Sequence, residues 1–188
     1  MTRLSLSAGA SAAAILLAGA GAARASVTVI GGGLAEACSK AAMAGLSDYR
    51  YERTCTDSLE NETLAPRDRA GTYVNRGIMK LRRMDWGGAL ADFDTAAKLK
   101  PTLGEIYVNR GAAYVGEHRY ADGLKDLNKS LELGVEEPAK AYYNRALAYE
   151  GLDDMKSAYF DYQKAVEIDP TWDAPKQELT RFHVSRRD

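Results

Sequence analysis

The sequence predicts an all-α protein, built as a solenoid of stacked helix-turn-helix hairpins with a C-terminal capping helix. A five-residue motif recurs three times, as YVNRG at 73–77, YVNRG at 107–111 and YYNRA at 142–146. The tyrosines that open the motif are 34 and 35 residues apart, and self-similarity at such a period is typical of repeat architectures. After each motif, apolar residues recur at intervals of three and four, the spacing of an amphipathic helix.

The composition limits the possible classes of protein. The chain has 188 residues, of which 46% are hydrophobic and 27% charged, and this balance indicates one globular domain with a short additional segment. The formal net charge is −1. Nucleic acid binding depends on a field of basic residues that contacts phosphates, so we expect no nucleic acid partner.

The first 25 residues have the composition of an export signal. They contain no acidic residue, an early Arg3, an apolar stretch rich in Ala and Leu, and the ending Ala23-Arg24-Ala25, which fits the small-x-small rule for signal peptidase. We expect a signal peptide over 1–25, cleaved after Ala25; a retained anchor or a disordered leader are the alternatives. The protein is then exported, periplasmic in a bacterium, and has no stable membrane span after cleavage.

Residues 26–33 are expected to be a flexible linker. The stretch VTVIGGGLAEA begins like a strand that enters a glycine-rich turn, and Gly31 and Gly33 match the first two glycines of the dinucleotide-binding fingerprint. Glu36 stands where the third glycine belongs, and the helical pattern downstream provides no second strand for a parallel sheet. We therefore expect no nucleotide site and no cofactor.

Residues 34–64 contain two short helical patterns and both cysteines, Cys38 and Cys55. Facing sides of two antiparallel helices joined by a tight turn come close together, and export places the thiols in an oxidising compartment. We expect a disulfide between Cys38 and Cys55, which would stabilise the fold by about 3 kcal/mol in the chain-entropy description. A redox-active pair is the alternative, although the sequence has no C-x-x-C motif.

Three further units follow, at 69–101, 104–137 and 139–170, and each has two helices. Short polar breaks separate the helices within each unit: RRMD, GEHR and GLDD. The pattern resembles the tetratricopeptide repeat family, whose unit carries an aromatic near its start, a small residue four later, further small and aromatic residues in its second helix, and a final proline. The matching residues are Tyr73, Gly77, Ala89, Phe93, Ala96 and Pro101 in the first unit, Tyr107, Gly111, Tyr114, Gly123, Leu127 and Ser130 in the second, and Tyr142, Ala146, Tyr149, Ala158, Tyr162, Ala165 and Pro170 in the third.

The resemblance implies a right-handed α-solenoid that binds a protein segment in a concave groove lined by the first helices. It also makes 34–64 a shortened, degenerate hairpin in which a cystine replaces the aromatic packing. The second unit departs from the pattern, because Val135 stands where the proline is expected. Residues 171–188 are expected to form a capping helix and tail, with Trp172, Leu179 and Phe182 on one helix face, since stacked repeats need a polar outer cap.

The arginine of each motif has an aspartate sixteen residues later, the distance from the middle of the first helix to the middle of the second. A charge at this half-buried site needs a partner, so we expect structural ion pairs rather than a ligand-binding arginine. The pairs are Arg76 and Asp92, Arg110 and Asp126, and Arg145 and Asp161.

The asparagine of each motif is the candidate for partner binding. The resemblance places Asn75, Asn109 and Asn144 along the groove, where an amide both donates to and accepts from a peptide backbone; alternatively they are solvated or bond within the scaffold. The other residues that it places in the groove are Val74, Ile78, Val108, Ala112, Lys140, Tyr143 and Leu147. Members of the family that bind a C-terminal carboxylate use basic residues here, and of these only Lys140 is present.

No catalytic or metal site is expected. His118 and His183 lack a metal-ligand spacing to Cys, His or carboxylate, and no Ser or Cys has an activating neighbour. The sequence therefore predicts a non-enzymatic module that binds another protein through its groove. A structural component of an envelope complex, with contacts through the convex face or capping helix, is the alternative; a redox accessory protein is a third.

Overall fold

The computed structural model of the protein describes residues 3–8, 25–29 and 33–187, and it describes the side chains of 25–29 and 33–182. Helices dominate the described residues, and their order follows the chain. The helices are α1 (Leu34–Met43), α2 (Tyr49–Asn61), α3 (Pro66–Arg82), α4 (Trp86–Leu99), α5 (Gly104–Gly116), α6 (Tyr120–Leu133), α7 (Pro138–Gly151), α8 (Met155–Ile168) and α9 (Asp173–Leu179). This confirms the expected all-α helical repeat fold.

Three helix pairs form the repeats: α3 with α4 is the first repeat, α5 with α6 the second and α7 with α8 the third. Each pair packs most extensively within itself and then against its neighbour in the chain. The turns inside the pairs each contain one residue with a positive φ near 60°, namely Met84, His118 and Asp153. Their spacing matches that of the motifs, so the same turn is repeated with the same period.

The first hairpin, α1 with α2, precedes these repeats and is closed by the disulfide between Cys38 and Cys55. This confirms the predicted pairing. Both cysteines are fully buried, in a cluster with Met79 of α3. The Glu62 carboxylate accepts hydrogen bonds from the backbone amides of Leu34 and Ala35, at 2.7 and 2.8 Å, and so caps α1.

The glycine-rich stretch ahead of α1 has a structural use at its last position. Gly33 has a φ of 100°, which a side chain would strain, and a Cβ there would collide with the Glu62 carboxylate. Hydrogen bonds from Ser58 and from the two amides hold the pKa of Glu62 below its usual value. Gly33 therefore serves a helix cap rather than a phosphate.

Apolar residues fill the space between the helices in two main clusters. One is centred on Phe93 and Ile78 in the first repeat and reaches Ile106 of α5. The other lies at the C-terminal end, where Tyr143 and Tyr162 pack with Phe182. The two ends of the molecule are thus closed by different residues, a cystine at one and aromatic rings at the other.

The C-terminal end differs from the prediction at Phe182. The capping helix α9 covers only Asp173–Leu179, and Phe182 begins a strand, β2 (Phe182–Arg187). This strand pairs in antiparallel register with β1 (Arg3–Ala8), from Arg3 opposite Arg187 to Ala8 opposite Phe182. Expecting Phe182 on the helix face was wrong, because the partner strand is distant in sequence and leaves no periodic pattern.

The predicted signal peptide, 1–25, lies outside the described residues apart from β1 and Ala25. Among the helices that are described, none has the length and apolarity needed to cross a membrane.

Candidate functional site

The candidate site is a groove that Ser39 of α1, Gly71 and Asn75 of α3 and Asn109 of α5 form along the first helices. Asn75 and Asn109 are the asparagines of the first two motifs, and both are fully buried. Ser39, at 2% exposure, occupies the corresponding place in the first hairpin. The first helices of three consecutive hairpins, α1, α3 and α5, thus present a polar side chain to the same surface.

Residues 25–29 lie in this groove without helical or strand structure and bond to all three polar side chains. The Asn75 amide accepts from the backbone N–H of Val27 at 3.1 Å and donates to its carbonyl at 2.7 Å. Asn109 does the same with Ala25, at 3.2 and 2.7 Å. Each asparagine therefore satisfies the donor and the acceptor of one peptide residue, as a neighbouring strand would.

Ser39 completes the series. Its hydroxyl accepts from the N–H of Val29 at 3.3 Å and donates to the carbonyl of Val27 at 3.0 Å. The segment advances by two residues for each hairpin, from Ala25 at α5 through Val27 at α3 to Val29 at α1. It therefore runs opposite to the order of the repeats.

Side chains of the segment alternate, as they do in a strand. Ala25, Val27 and Val29 are at most 4% exposed, whereas Thr28 is exposed. Ala25 clusters with Val108, and Val27 joins the core cluster that includes Val74. Val74 and Val108 were expected to line the groove, and the structure places them against its occupant. The linker expected over 26–33 is thus packed against the helices over 26–29.

The remaining predicted groove residues lie in different surroundings. Ile78 and Ala112 are buried in the same core cluster as Val27. Asn144 is fully buried on α7, and Lys140 forms an ion pair with Glu137 at 2.6 Å.

Tyr143 and Leu147 were also expected in the groove, but both are buried in the C-terminal cluster. The ring centroid of Tyr143 lies 4.8 Å from that of Trp172. Periodicity does not predict this contact, because Trp172 belongs to the segment after the last repeat.

The structure brings the three predicted Arg–Asp pairs together in the same geometry. Arg110 donates from Nε and Nη2 to the two carboxylate oxygens of Asp126, at 2.6 and 2.9 Å. The same two nitrogens of Arg76 contact Asp92, and those of Arg145 contact Asp161. The bond to the carboxylate raises the pKa of Arg110 and of Arg145, so both stay charged.

Each arginine also reaches the preceding hairpin through its third nitrogen, Nη1. Nη1 of Arg76 donates to Thr56 at 3.0 Å. Nη1 of Arg110 donates to Asp94, and that of Arg145 to Asn128, both at 2.8 Å. The tyrosine of the motif lies under the guanidinium, 5.2 to 5.4 Å from ring centroid to Cζ. One arginine per repeat therefore links three helices, and its donors face the scaffold rather than the groove.

Comparison with known proteins identifies the repeat. Residues 139–171 match the family model described as "Tetratricopeptide repeat". The third repeat thus matches the tetratricopeptide repeat model. The first two repeats have the same turn and the same ion pair, so all three repeats share one fold.

The chain is similar to the Hsp70-Hsp90 organizing protein of Triticum aestivum, with 37% identity over 91 residues that cover 48% of this chain. They cover 16% of that relative, so this chain spans a small part of the length of the curated relatives it matches.

Two solved structures share the fold. MamA (41-end) from Desulfovibrio magneticus RS-1 superposes with a TM-score of 0.62 at 24% identity, covering 79% of this chain and 82% of that one. The first tetratricopeptide domain of Spaghetti (RPAP3), bound to the HSP90 peptide SRMEEVD, superposes with a TM-score of 0.57 at 22% identity, covering 61% of this chain and 90% of that one.

Sequence reasoning missed several residues of the groove. Ser39 lies 36 residues before Asn75, close to the tetratricopeptide period, so its place was recoverable by extending the repeat backwards. Gly71 and residues 25–29 had no such pattern.

Two features of the described part of the chain bear on catalysis. His118 lies in a turn, where its Nδ1 is 2.6 Å from the Tyr120 hydroxyl. No cluster of three or more His, Cys, Asp or Glu among the described residues could hold a metal ion. The side chain of His183 is outside the described contacts.

Proposed function

We propose that this protein is a non-enzymatic interaction module that binds an extended segment of a partner protein in the groove. The observation that carries this function is the binding of residues 25–29, whose backbone pairs with Asn75 and Asn109. The two amides offer one donor and one acceptor to every second residue of an extended chain.

Main-chain recognition fits the chemistry of the groove. Apolar Val74 and Ile78 are fully buried beside Asn75, where binding a carboxylate through its charge would require cations. The RPAP3 domain is bound to the HSP90 peptide SRMEEVD, and the relatives include an Hsp70-Hsp90 organizing protein. These support binding of a peptide segment as the class of function, while the apolar residues favour an uncharged segment for this chain.

Export to an oxidising compartment, the periplasm of a bacterium, is part of the proposal. The composition of residues 1–25 supports it, and so does the buried disulfide, since such bonds persist outside the reducing cytosol. Mass measurement of the mature protein from a periplasmic fraction tests it. A chain that begins at Ser26 is expected, and an intact N-terminus in the cytosolic fraction contradicts it.

Photo-crosslinking tests the groove. A photoreactive residue at Lys140, which lies four residues before Asn144 on α7 as Gly71 lies four residues before Asn75 on α3, is expected to crosslink to the partner in cells. The same residue at Phe160, which is 51% exposed on α8, is the matched control and is expected to give no crosslink.

Changing Asn75, Asn109 and Asn144 together to Ala is expected to abolish the crosslink from Lys140, with an unchanged circular dichroism spectrum. Retention of the partner by this folded triple variant would exclude the groove as its binding site. Crosslinks from Phe160 alone would favour the envelope-component alternative.

A further inference from the structure

Residues 25–29 occupy the site that the proposed function assigns to a partner. Their six hydrogen bonds to Ser39, Asn75 and Asn109 are buried. A partner segment that uses these amides needs the same donors and acceptors. The partner and residues 25–29 therefore cannot bind at the same time.

Gly71 is a second, independent sign that the groove is shaped for this occupant. A Cβ at Gly71 would lie 2.9 Å from Cγ1 of Val27 and 3.2 Å from Cγ2 of Val29, closer than side chains normally pack. Glycine is a poor helix former, yet Gly71 lies inside α3. Its missing side chain provides the space that two β-branched residues fill.

The space is selective in two ways. It accepts side chains at every second position, because Ala25, Val27 and Val29 point inward and Thr28 does not. Val27 and Val29 fill it against Gly71, so a small or β-branched residue fits, whereas a charge would be buried without a partner.

We propose that residues 25–29 are an internal ligand of the groove, and that the partner is an extended, uncharged segment with small or β-branched residues at alternate positions, which binds by displacing them. This inference rests on the proposed function, and it adds the chemical class of the partner and the competition that partner must overcome.

Cleavage after Ala25 would change the competition between the internal segment and the partner at Asn109. Val27 and Val29 would keep their bonds to Asn75 and Ser39, whereas Asn109 would lose Ala25. Export would thus free the Asn109 position first, and a partner would enter there before it displaces the remaining residues.

The probe for the test is the acetylated and amidated peptide Ala-Ser-Val-Thr-Val, labelled with a fluorophore and titrated into the full chain. The double variant Val27→Asp with Val29→Asp places two charges in the apolar space and releases the internal segment. We expect the probe to bind this variant at least tenfold more tightly than the parent chain. Thr28→Asp is the matched control, because its exposed side chain lies outside the space, and its affinity should equal that of the parent.

Two further arms test the chemistry. Adding Gly71→Leu to the double variant fills the space and should abolish binding of the probe. A probe with Asp at its third and fifth positions should not bind the double variant. Equal affinity of the Ala-Ser-Val-Thr-Val probe for the parent and the double variant would overturn competition, and equal affinity for the two probes would overturn the selectivity.

Hydrogen exchange on the unmodified chain gives a result that does not depend on how the variants fold. The amides of Val27 and Val29 should exchange at least tenfold faster when the probe is in saturating excess, because they lose Asn75 and Ser39. Unchanged exchange with the probe bound would overturn the inference. A partner that crosslinks at Lys140 without competing with the probe would overturn it while leaving the proposed function intact.

Discussion

The first hairpin and the third repeat lie at opposite ends of the solenoid and are held together in different ways. In the first hairpin, Cys38 and Cys55 form the centre of a small cluster with Ala41, Ala42 and Met79. In the third repeat, Tyr143 and Tyr162 pack with aromatic rings from the C-terminal segment. A hairpin that buries little apolar area gains stability from a covalent link, whereas one that buries large rings does not need it.

The difference also concerns the groove. Ser39, which bonds to Val27 and Val29, is on the helix that the disulfide anchors. The serine is shorter than the asparagines of the repeats, so its position depends on how closely α1 approaches the segment. Loosening the first hairpin should therefore weaken one end of the groove, while loosening the third repeat should not.

The largest expected effect is at the aromatic end. Tyr162→Ala removes a fully buried ring from contact with Tyr143 and Phe182, at centroid distances of 5.6 and 6.0 Å. A large-to-small change of this kind lowers the free energy of unfolding by about 3 to 5 kcal/mol, which chemical denaturation followed by circular dichroism measures. Phe160→Ala, on the exposed side of the same helix, should change it by less than about 0.5 kcal/mol. Similar losses in both variants would mean that the ring of Tyr162 is not part of the core.

Reducing the disulfide should have the next largest effect. The cysteines are 17 residues apart, and opening a loop of this size lowers the free energy of unfolding by about 3 kcal/mol. Hydrogen exchange should speed up in α1 and α2 on addition of reductant and stay unchanged in α7 and α8. The double variant Cys38→Ser with Cys55→Ser should not respond to reductant. Uniform acceleration across all helices would show that the two ends are not independent.

The ion pairs extend the comparison to the first repeat, whose Arg76 donates to Thr56 of the first hairpin, and to the third repeat, because the two pairs have different surroundings. Asp92 contacts Lys80 at 2.9 Å as well as Arg76, whereas Tyr149 takes the place of that lysine beside Arg145. Arg145→Ala leaves Asp161 without its arginine and should lower the free energy of unfolding by about 2 kcal/mol.

Arg76→Ala should lower the free energy of unfolding by about 1 kcal/mol, because Lys80 still neutralises Asp92. The same denaturation measurement checks both variants. Arg119→Ala is the control: its pair with Asp122 is about half exposed, so a loss below about 0.5 kcal/mol is expected. A larger loss in Arg76→Ala than in Arg145→Ala would contradict the role given to Lys80.

The sequence was sufficient to predict the features that recur with the repeat period of 34 to 35 residues. The helices, the disulfide and the spacing of Arg110 and Asp126 follow from periodicity and from the number of cysteines. Contacts that involve residues outside the repeats could not be predicted. Residues 25–29 in the groove and Trp172 on Tyr143 join segments that are far apart in the chain, and neither segment has a repeated pattern. Gly71 illustrates the same limit, since its neighbours come from another segment.

The smallest expected effect concerns a single hydroxyl at the aromatic end. Tyr143 is 1% exposed, and within the described part of the chain its hydroxyl has no hydrogen-bond partner. Burial raises its pKa, and the carboxylates of Glu178 and Glu150 raise it further, so the hydroxyl stays neutral. Tyr143→Phe keeps the ring on Trp172 and removes the unsatisfied group. The free energy of unfolding should therefore stay the same or rise by up to about 1 kcal/mol.

Tyr107→Phe is the matched control for that change, because the Tyr107 hydroxyl donates to the Pro101 carbonyl at 2.9 Å. It should lower the free energy of unfolding by about 0.5 to 1 kcal/mol, opposite in sign to Tyr143→Phe. Each substitution removes one tyrosine hydroxyl, so the difference between their effects on the free energy of unfolding reports the hydrogen bond of Tyr107. A loss above about 1 kcal/mol in Tyr143→Phe would show that its hydroxyl is bonded, and the aromatic end would then depend on a polar contact as well as on its rings.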